Sequence, residues 1–169
     1  MKRLLKAIDN VSEWGGRATR WLGVALVLVM TFEVTMRYVF NSPTLWAFET
    51  ALMLGATVYV IGWAYAQLHH KHIRVDVFYL RFSPRGRALI DVLGMLFLAF
   101  PILAIMIINS VNYTVIAWAS KERLDLSVWY PPVGPLRTVV ALGFILLTLQ
   151  CLAQFIRDLS VLVRSKPYD

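Results

Sequence analysis

The sequence predicts an all-α integral membrane protein, with four transmembrane helices preceded by a short N-terminal amphipathic interfacial helix. Three observations carry that expectation. Apolar residues make up 59% of the chain and charged residues 16%, below the quarter usual in a soluble domain, and mean hydropathy is positive. The apolar residues gather into four uncharged runs, 21–32, 50–68, 92–120 and 138–156. The basic residues between those runs are sorted by side.

Residues 1–20 form the first expected unit. Leu4, Ile8, Val11 and Trp14 recur at helical spacing, with Lys2, Lys6, Asp9, Asn10 and Glu13 largely opposite. Such a stripe suits a helix lying in the headgroup region with its lysines toward anionic lipid. Gly15 and Gly16 are expected to end it and to allow the turn into the membrane.

Residues 21–169 form the second unit, a four-helix transmembrane domain with a cytoplasmic C-terminal tail. A spanning helix needs about 20 mostly apolar residues to cross a hydrocarbon core of ~30 Å. The second and fourth runs fit directly. The first reaches that length only by continuing through Glu33 and Arg37 to about Phe40. The third would be roughly 40 Å long as a helix, which predicts tilt, a kink at Pro101 or a protruding end. A basic start and an apolar stretch occur near the N-terminus, but no small-residue cleavage site follows, so the first span is expected to be retained.

The connections read as turns. In "FNSPTLW" (40–46), Asn41 and Ser42 can cap, Pro43 suits a first helical position, and Trp46 suits the membrane interface. "FSPRG" (82–86) repeats that grammar, with Ser83 as cap and Pro84 opening the third helix. In "SKERLDLSVWYPPVGP" (120–135), three prolines and Gly134 forbid a continuous helix. On the second span Ala51, Gly55, Gly62 and Ala66 share one stripe, and small residues let helices approach closely in lipid. Tyr59 and Trp63, on another face, read as packing residues.

The net charge of +7 reflects orientation better than nucleic-acid binding, for which no reading module is present. Lys2, Arg3, Lys6, Arg17 and Arg20 precede the first span. Lys71, Arg74, Arg81, Arg85 and Arg87 lie between the second and third, and Arg157, Arg164 and Lys166 follow the fourth. The other two connections hold only Arg37, Lys121, Arg123 and Arg137. Thirteen basic residues against four place both termini in the cytoplasm.

Candidate chemistry is sparse. All three histidines, His69, His70 and His72, crowd beside Lys71 and Arg74, which repel a metal cation, and no thiolate or carboxylate set converges with them. The segment reads as the cytoplasmic mouth of the second helix, near anionic headgroups. The single cysteine, Cys151, lies inside the fourth span and can form no intramolecular disulfide. No Ser/His/Asp set, phosphate loop or haem-binding histidine pair appears, so the sequence predicts neither an enzyme nor a cofactor. Glu33 and Arg37 are more informative, because ionisable groups inside a span mark a pathway or a pair. Their i, i+4 spacing puts them on one helix face. Glu49 enters the next helix across the short connection, within expected reach of Arg37. These three form the expected intramembrane or interfacial charge network.

Three segments carry a family resemblance: "RYVFNSPTLWAFE" (37–49), "HIRVDVFYLRFSPRGRALID" (72–91) and "PLRTVVALGFILLTLQCLAQFIRDL" (135–159). Together they resemble the small membrane subunit, DctQ-like, of tripartite ATP-independent periplasmic (TRAP) transporters. The family often has two consecutive acidic residues after the tryptophan, whereas here Phe48 precedes a single Glu49. The resemblance implies a non-catalytic subunit of the bacterial inner membrane. Its implied partners are a large DctM-like permease subunit, a periplasmic substrate-binding protein and membrane lipid. It also implies sodium-driven uptake of an organic solute, and it marks Asn41, Trp46, Gly55, Gly62, Arg74 and Asp76 as signature, interface or structural positions. The alternative from another class is a stand-alone four-helix transporter or channel that uses Glu33 as its carrier. A membrane anchor for a redox enzyme ranks below both, for want of histidines on the helices or paired cysteines.

Overall fold

The computed structural model describes residues 2–69, 83–125 and 128–164. Its elements in chain order are α1 (Lys2–Tyr38), α2 (Ala47–Leu68), α3 (Pro84–Gly94), a π-helical turn (Met95–Ala99), α4 (Phe100–Ala119) and α5 (Gly134–Arg164). Because α3, the π turn and α4 run on without a break, they make one rod. Four helical stretches are therefore long and apolar enough to cross a membrane: Arg3–Tyr38, Ala47–Leu68, Gly86–Ala119 and Gly134–Leu162.

The first helix differs from the sequence expectation. Gly15 and Gly16 do not end it, and α1 continues for 37 residues, about 55 Å at the α-helical rise. The glycines serve a neighbour instead of a turn. A methyl group on Gly16 would overlap the Tyr65 ring of α2, and one on Gly15 would lie 3.0 Å from Ile61 Cγ2. They let the N-terminal part of α1 lie directly on α2. The stripe expected to meet headgroups stays open, with Leu4, Val11 and Trp14 exposed, while a different face is buried at Leu5 and Ser12.

Pro101 lies immediately beyond the π turn. Its ring removes one amide and crowds the carbonyl one turn back. The turn answers this by widening, so that the Phe100 amide bonds to the Met95 carbonyl five residues earlier. The expected irregularity at Pro101 is thus taken up by a π turn, a usual cause of local helix distortion.

The helix ends follow from capping chemistry. Ser83 accepts a hydrogen bond from the Gly86 amide at 3.3 Å, with Pro84 opening α3. At the end of α4, Lys121 adopts a left-handed conformation (φ 50°) and the Glu122 amide bonds to the Ala117 carbonyl at 3.0 Å, closing the helix as a Schellman turn. The start of α2 departs from expectation. Its cap position is Trp46, with no side-chain cap bond, and Pro43 lies in the connection. Asn41 caps nothing and instead turns the chain with φ 51°, a conformation asparagine tolerates better than most residues.

The helices alternate in direction. Phe32 stacks on Trp46, with ring centroids 6.0 Å apart, near the α1–α2 connection. Phe100 meets Phe155 edge-on at 5.4 Å toward the other end. At the centre is α5, which packs against α1, α2, α3 and α4. A third of its apolar window is buried (33%), against 6% for α1. α5 lies close against α2 at Gly143, where an added methyl would overlap Val60 Cγ1 and lie 3.1 Å from the Val60 backbone carbon. Trp63 and Phe144 pack one turn further along, at 5.6 Å, while Tyr59 is exposed.

Candidate functional site

Two clusters of bonded polar groups tie the first helix to its surroundings, one near each of its ends. The first surrounds Glu33, near the end of α1 and 5% exposed. One carboxylate oxygen, Oε1, accepts from Arg37 Nε at 3.0 Å and from Arg37 Nη2 at 2.5 Å. The other, Oε2, accepts from the Thr44 amide at 3.1 Å and from the Thr44 hydroxyl. Both oxygens are therefore engaged. The i, i+4 spacing supplies the arginine, and the Asn41 turn brings Thr44 back over the helix end. Glu33 acts as a tie between α1 and the connection that follows it, and the arginine keeps its own outer side in contact with the surroundings (side chain 51% exposed).

Glu49 does not join this network. It lies in the first turn of α2, is 0% exposed, and has no hydrogen-bond partner for either carboxylate oxygen among the described residues. Arg37 is occupied by Glu33. The expected contact between Arg37 and Glu49 is therefore not among the hydrogen bonds of the described residues.

At the start of α5, Arg137 ties that helix to α4 and to the connection between them. Its Nη1 donates to the Tyr113 carbonyl at 3.1 Å and its Nη2 to Glu122 Oε1 at 2.6 Å. The guanidinium carbon stands 5.4 Å from the centre of the Tyr113 ring. The connection folds back on itself, with the Leu124 amide on the Pro131 carbonyl at 2.9 Å and the Val133 amide on the Glu122 carbonyl at 3.0 Å.

The second cluster joins the first helix to the last. Ser12 donates to Gln150 Oε1 at 2.9 Å, Gln150 Nε2 donates to Asp9 Oδ1 at 3.1 Å, and Arg157 Nη2 donates to Asp9 Oδ2 at 2.5 Å. Gln150 is fully buried and Ser12 2% exposed. Sequence reasoning missed this chain of bonds. The available signal was Gln150 itself, an amide in the middle of an apolar span with four hydrogen-bonding positions to fill. Nearby, His69 Nε2 is 2.9 Å from Glu13 Oε2, and Arg20 donates to the Tyr65 hydroxyl at 3.3 Å.

Of the other positions singled out from sequence, Trp46 is 39% exposed and stacks on Phe32. Methyl groups added at Gly55 or Gly62 would meet nothing within 4 Å, so this part of the small-residue stripe touches no other described helix. Arg74 and Asp76, like His70 and His72, lie outside the described residues. Among the described residues no group of three or more His, Cys, Asp or Glu side chains could hold a metal ion.

Four long apolar helices with internally bonded polar groups define a small multi-pass α-helical membrane protein. Comparison with known proteins then places it. Residues 26–161 match the family described as tripartite ATP-independent periplasmic transporters, DctQ component, and the chain belongs to that family. It is 30% identical over 87 residues to the sialic acid TRAP transporter small permease protein SiaQ of Vibrio cholerae serotype O1, covering 52% of this chain and 49% of the relative. It is 36% identical over 108 residues to the C4-dicarboxylate TRAP transporter small permease protein DctQ of the same organism, covering 60% of this chain and 46% of the relative. The matches thus span about half the length of these curated relatives.

Proposed function

We propose that this chain is the small permease subunit of a TRAP transporter in the bacterial inner membrane, with both termini cytoplasmic. In this reading it packs against a large DctM-like permease subunit and contributes to sodium-driven uptake of an organic solute. A periplasmic substrate-binding protein delivers the solute. The chain itself carries out no catalysis and needs no cofactor.

The supporting observation beyond family membership is the state of Glu33. A carrier carboxylate must exchange its cargo, and Glu33 is already held at both oxygens by Arg37 and Thr44. With all its acceptor oxygens engaged, Glu33 is read as a structural tie between α1 and the connection after it. The open side of α2 at Gly55 and Gly62 supplies a smooth surface that suits helix packing by a second subunit.

The test compares the chain alone with the assembled complex. Proteoliposomes holding only this protein should show no sodium-dependent solute uptake. Gly55→Leu and Gly62→Leu should enter the membrane normally, yet recover less of the large subunit on purification, with uptake falling in proportion. Uptake by the chain alone, lost on Glu33→Gln, would establish the stand-alone carrier instead.

A further inference from the structure

Arg17, Arg37, Arg137 and Arg157 each meet a carboxylate, from Glu13, Glu33, Glu122 and Asp9 respectively. Arg20 is different. Its partner among the described residues is the neutral Tyr65 hydroxyl, 3.3 Å from Nη2. Yet Arg20 lies within the apolar stretch Arg3–Tyr38, one turn beyond Gly16, which packs on Tyr65. Tyr65 belongs to the last turn of α2, a helix of 22 residues, about 33 Å long and so matched to a hydrocarbon core of ~30 Å. The Arg20 side chain is thus held at the boundary between hydrocarbon and headgroups, at the end of the bundle where the N-terminus lies. An arginine at that depth calls for a counter-charge.

Local packing builds the site. Because Gly16 has no Cβ, the Tyr65 ring lies directly on α1, where a methyl group would overlap it. The His69 ring holds the other side of Tyr65, with centroids 4.4 Å apart. The Tyr65 hydroxyl accepts from Arg20, so its own hydrogen is left to donate outward, beside the remaining N–H groups of the guanidinium. Two donors therefore point to one missing acceptor. Arg17, one turn nearer the N-terminus, adds a second and largely exposed guanidinium. Its carboxylate, Glu13 at 3.5 Å, is shared with His69 at 2.9 Å. Trp14 and Trp21 stand exposed before and after Arg17 along the helix, and tryptophan favours the water–lipid boundary.

We propose that Arg20 and Tyr65 form a binding site for the phosphate of an anionic phospholipid, with Arg17 as a second cation. The arginine fork matches two phosphate oxygens at once. A phospholipid supplies that group at this depth, and its chains can lie along the exposed Val24, Val27 and Leu28 further up α1. The lipid belongs to the leaflet at the N-terminal end of the bundle. The inference stands apart from the transport role proposed above.

Native mass spectrometry of the full chain, released from detergent micelles containing phosphatidylglycerol, tests the site. The native chain should retain the lipid. Arg20→Gln should weaken retention about tenfold or more and Tyr65→Phe a few-fold, as expected for losing a charge-assisted and a neutral hydrogen bond. Lys121→Gln, which removes an exposed cation near the far end of the bundle, should bind as the native chain does. Thermal melts establish that each variant is folded. If Arg20→Gln fails to fold, Tyr65→Phe decides the matter, because it removes a single hydroxyl. Retention unchanged in a folded Arg20→Gln, or in Tyr65→Phe where that variant decides, would overturn the proposal and leave Arg20 to a carboxylate of another subunit. Diacylglycerol with the same chains should not be retained, and excess inorganic phosphate should not displace the lipid. Retention of diacylglycerol would show that the chains alone bind, and displacement by inorganic phosphate would show a site for a soluble anion. Either result would overturn the phospholipid assignment.

Discussion

Thr44 contributes both its amide and its hydroxyl to Glu33, so one residue of a short connection fixes how the first two helices meet. The arginine on the opposite oxygen makes the arrangement sensitive to single changes. Glu33→Gln leaves Arg37 without its counter-charge, whereas Glu33→Gln combined with Arg37→Gln removes both charges together. Folded yield in detergent should therefore fall further for the single variant than for the double one. Equal losses would show that the ion pair is incidental. The same reasoning applies to Gln150, which bonds Ser12 and Asp9 at once. Gln150→Leu should lower stability by about 1–3 kcal/mol, the usual cost of stranding buried polar partners, read as a drop in thermal unfolding temperature. The Glu33–Arg37 geometry was legible in the sequence because an i, i+4 spacing fixes direction within one helix. The Thr44 contact was not, since it depends on the left-handed turn at Asn41.

Glycines on a helix look alike in a sequence and differ only in what faces them. Gly55 and Gly62 form a stripe with Ala51 and Ala66, yet they meet open space among the described residues. Gly15 and Gly16 read as a helix end, and Gly143 drew no notice. These three lie close against a neighbouring helix, at Ile61, Tyr65 and Val60. A pattern on one helix records that a smooth face exists but not which neighbour uses it. Gly143→Ala should push α5 off α2 at a cost of about 1–3 kcal/mol, because part of the contact is with Val60 backbone, which cannot rotate away. Val60→Ala should restore only part of that loss. Gly55→Ala and Gly62→Ala should leave the chain alone unchanged or more stable by ~0.5–1 kcal/mol, through helix propensity. Thermal melts of the four variants in detergent check this ordering. A Gly55→Ala loss as large as that of Gly143→Ala would show that α2 is rotated from the orientation described.

At the scale of the molecule, α5 is the hub, and its two ends are fastened differently. Arg137 holds one end to Glu122 and Tyr113, and Arg157 holds the other to Asp9. The four spans were legible because apolar run length is a direct physical requirement of the bilayer. The hub was not, since each apolar run looks equally suited to lipid or to protein. Orientation is a separate matter, carried by charge outside the spans. The end holding the N-terminus and Ser83 has thirteen of the seventeen basic residues assigned to its side, and the end holding Ser42 has the remaining four. Retention of Lys and Arg on the cytoplasmic side predicts that Ser83 faces the cytoplasm and Ser42 the opposite compartment. Both residues are exposed and lie outside the helices, and the native Cys151 is buried, so it should contribute little background. In intact cells a membrane-impermeant thiol reagent should label Ser42→Cys and not Ser83→Cys, and permeabilised cells should show labelling of both. The reverse pattern in intact cells would invert the orientation. It would also move the Glu33–Arg37 tie to the cytoplasmic side and the Asp9–Arg157 tie to the outer side.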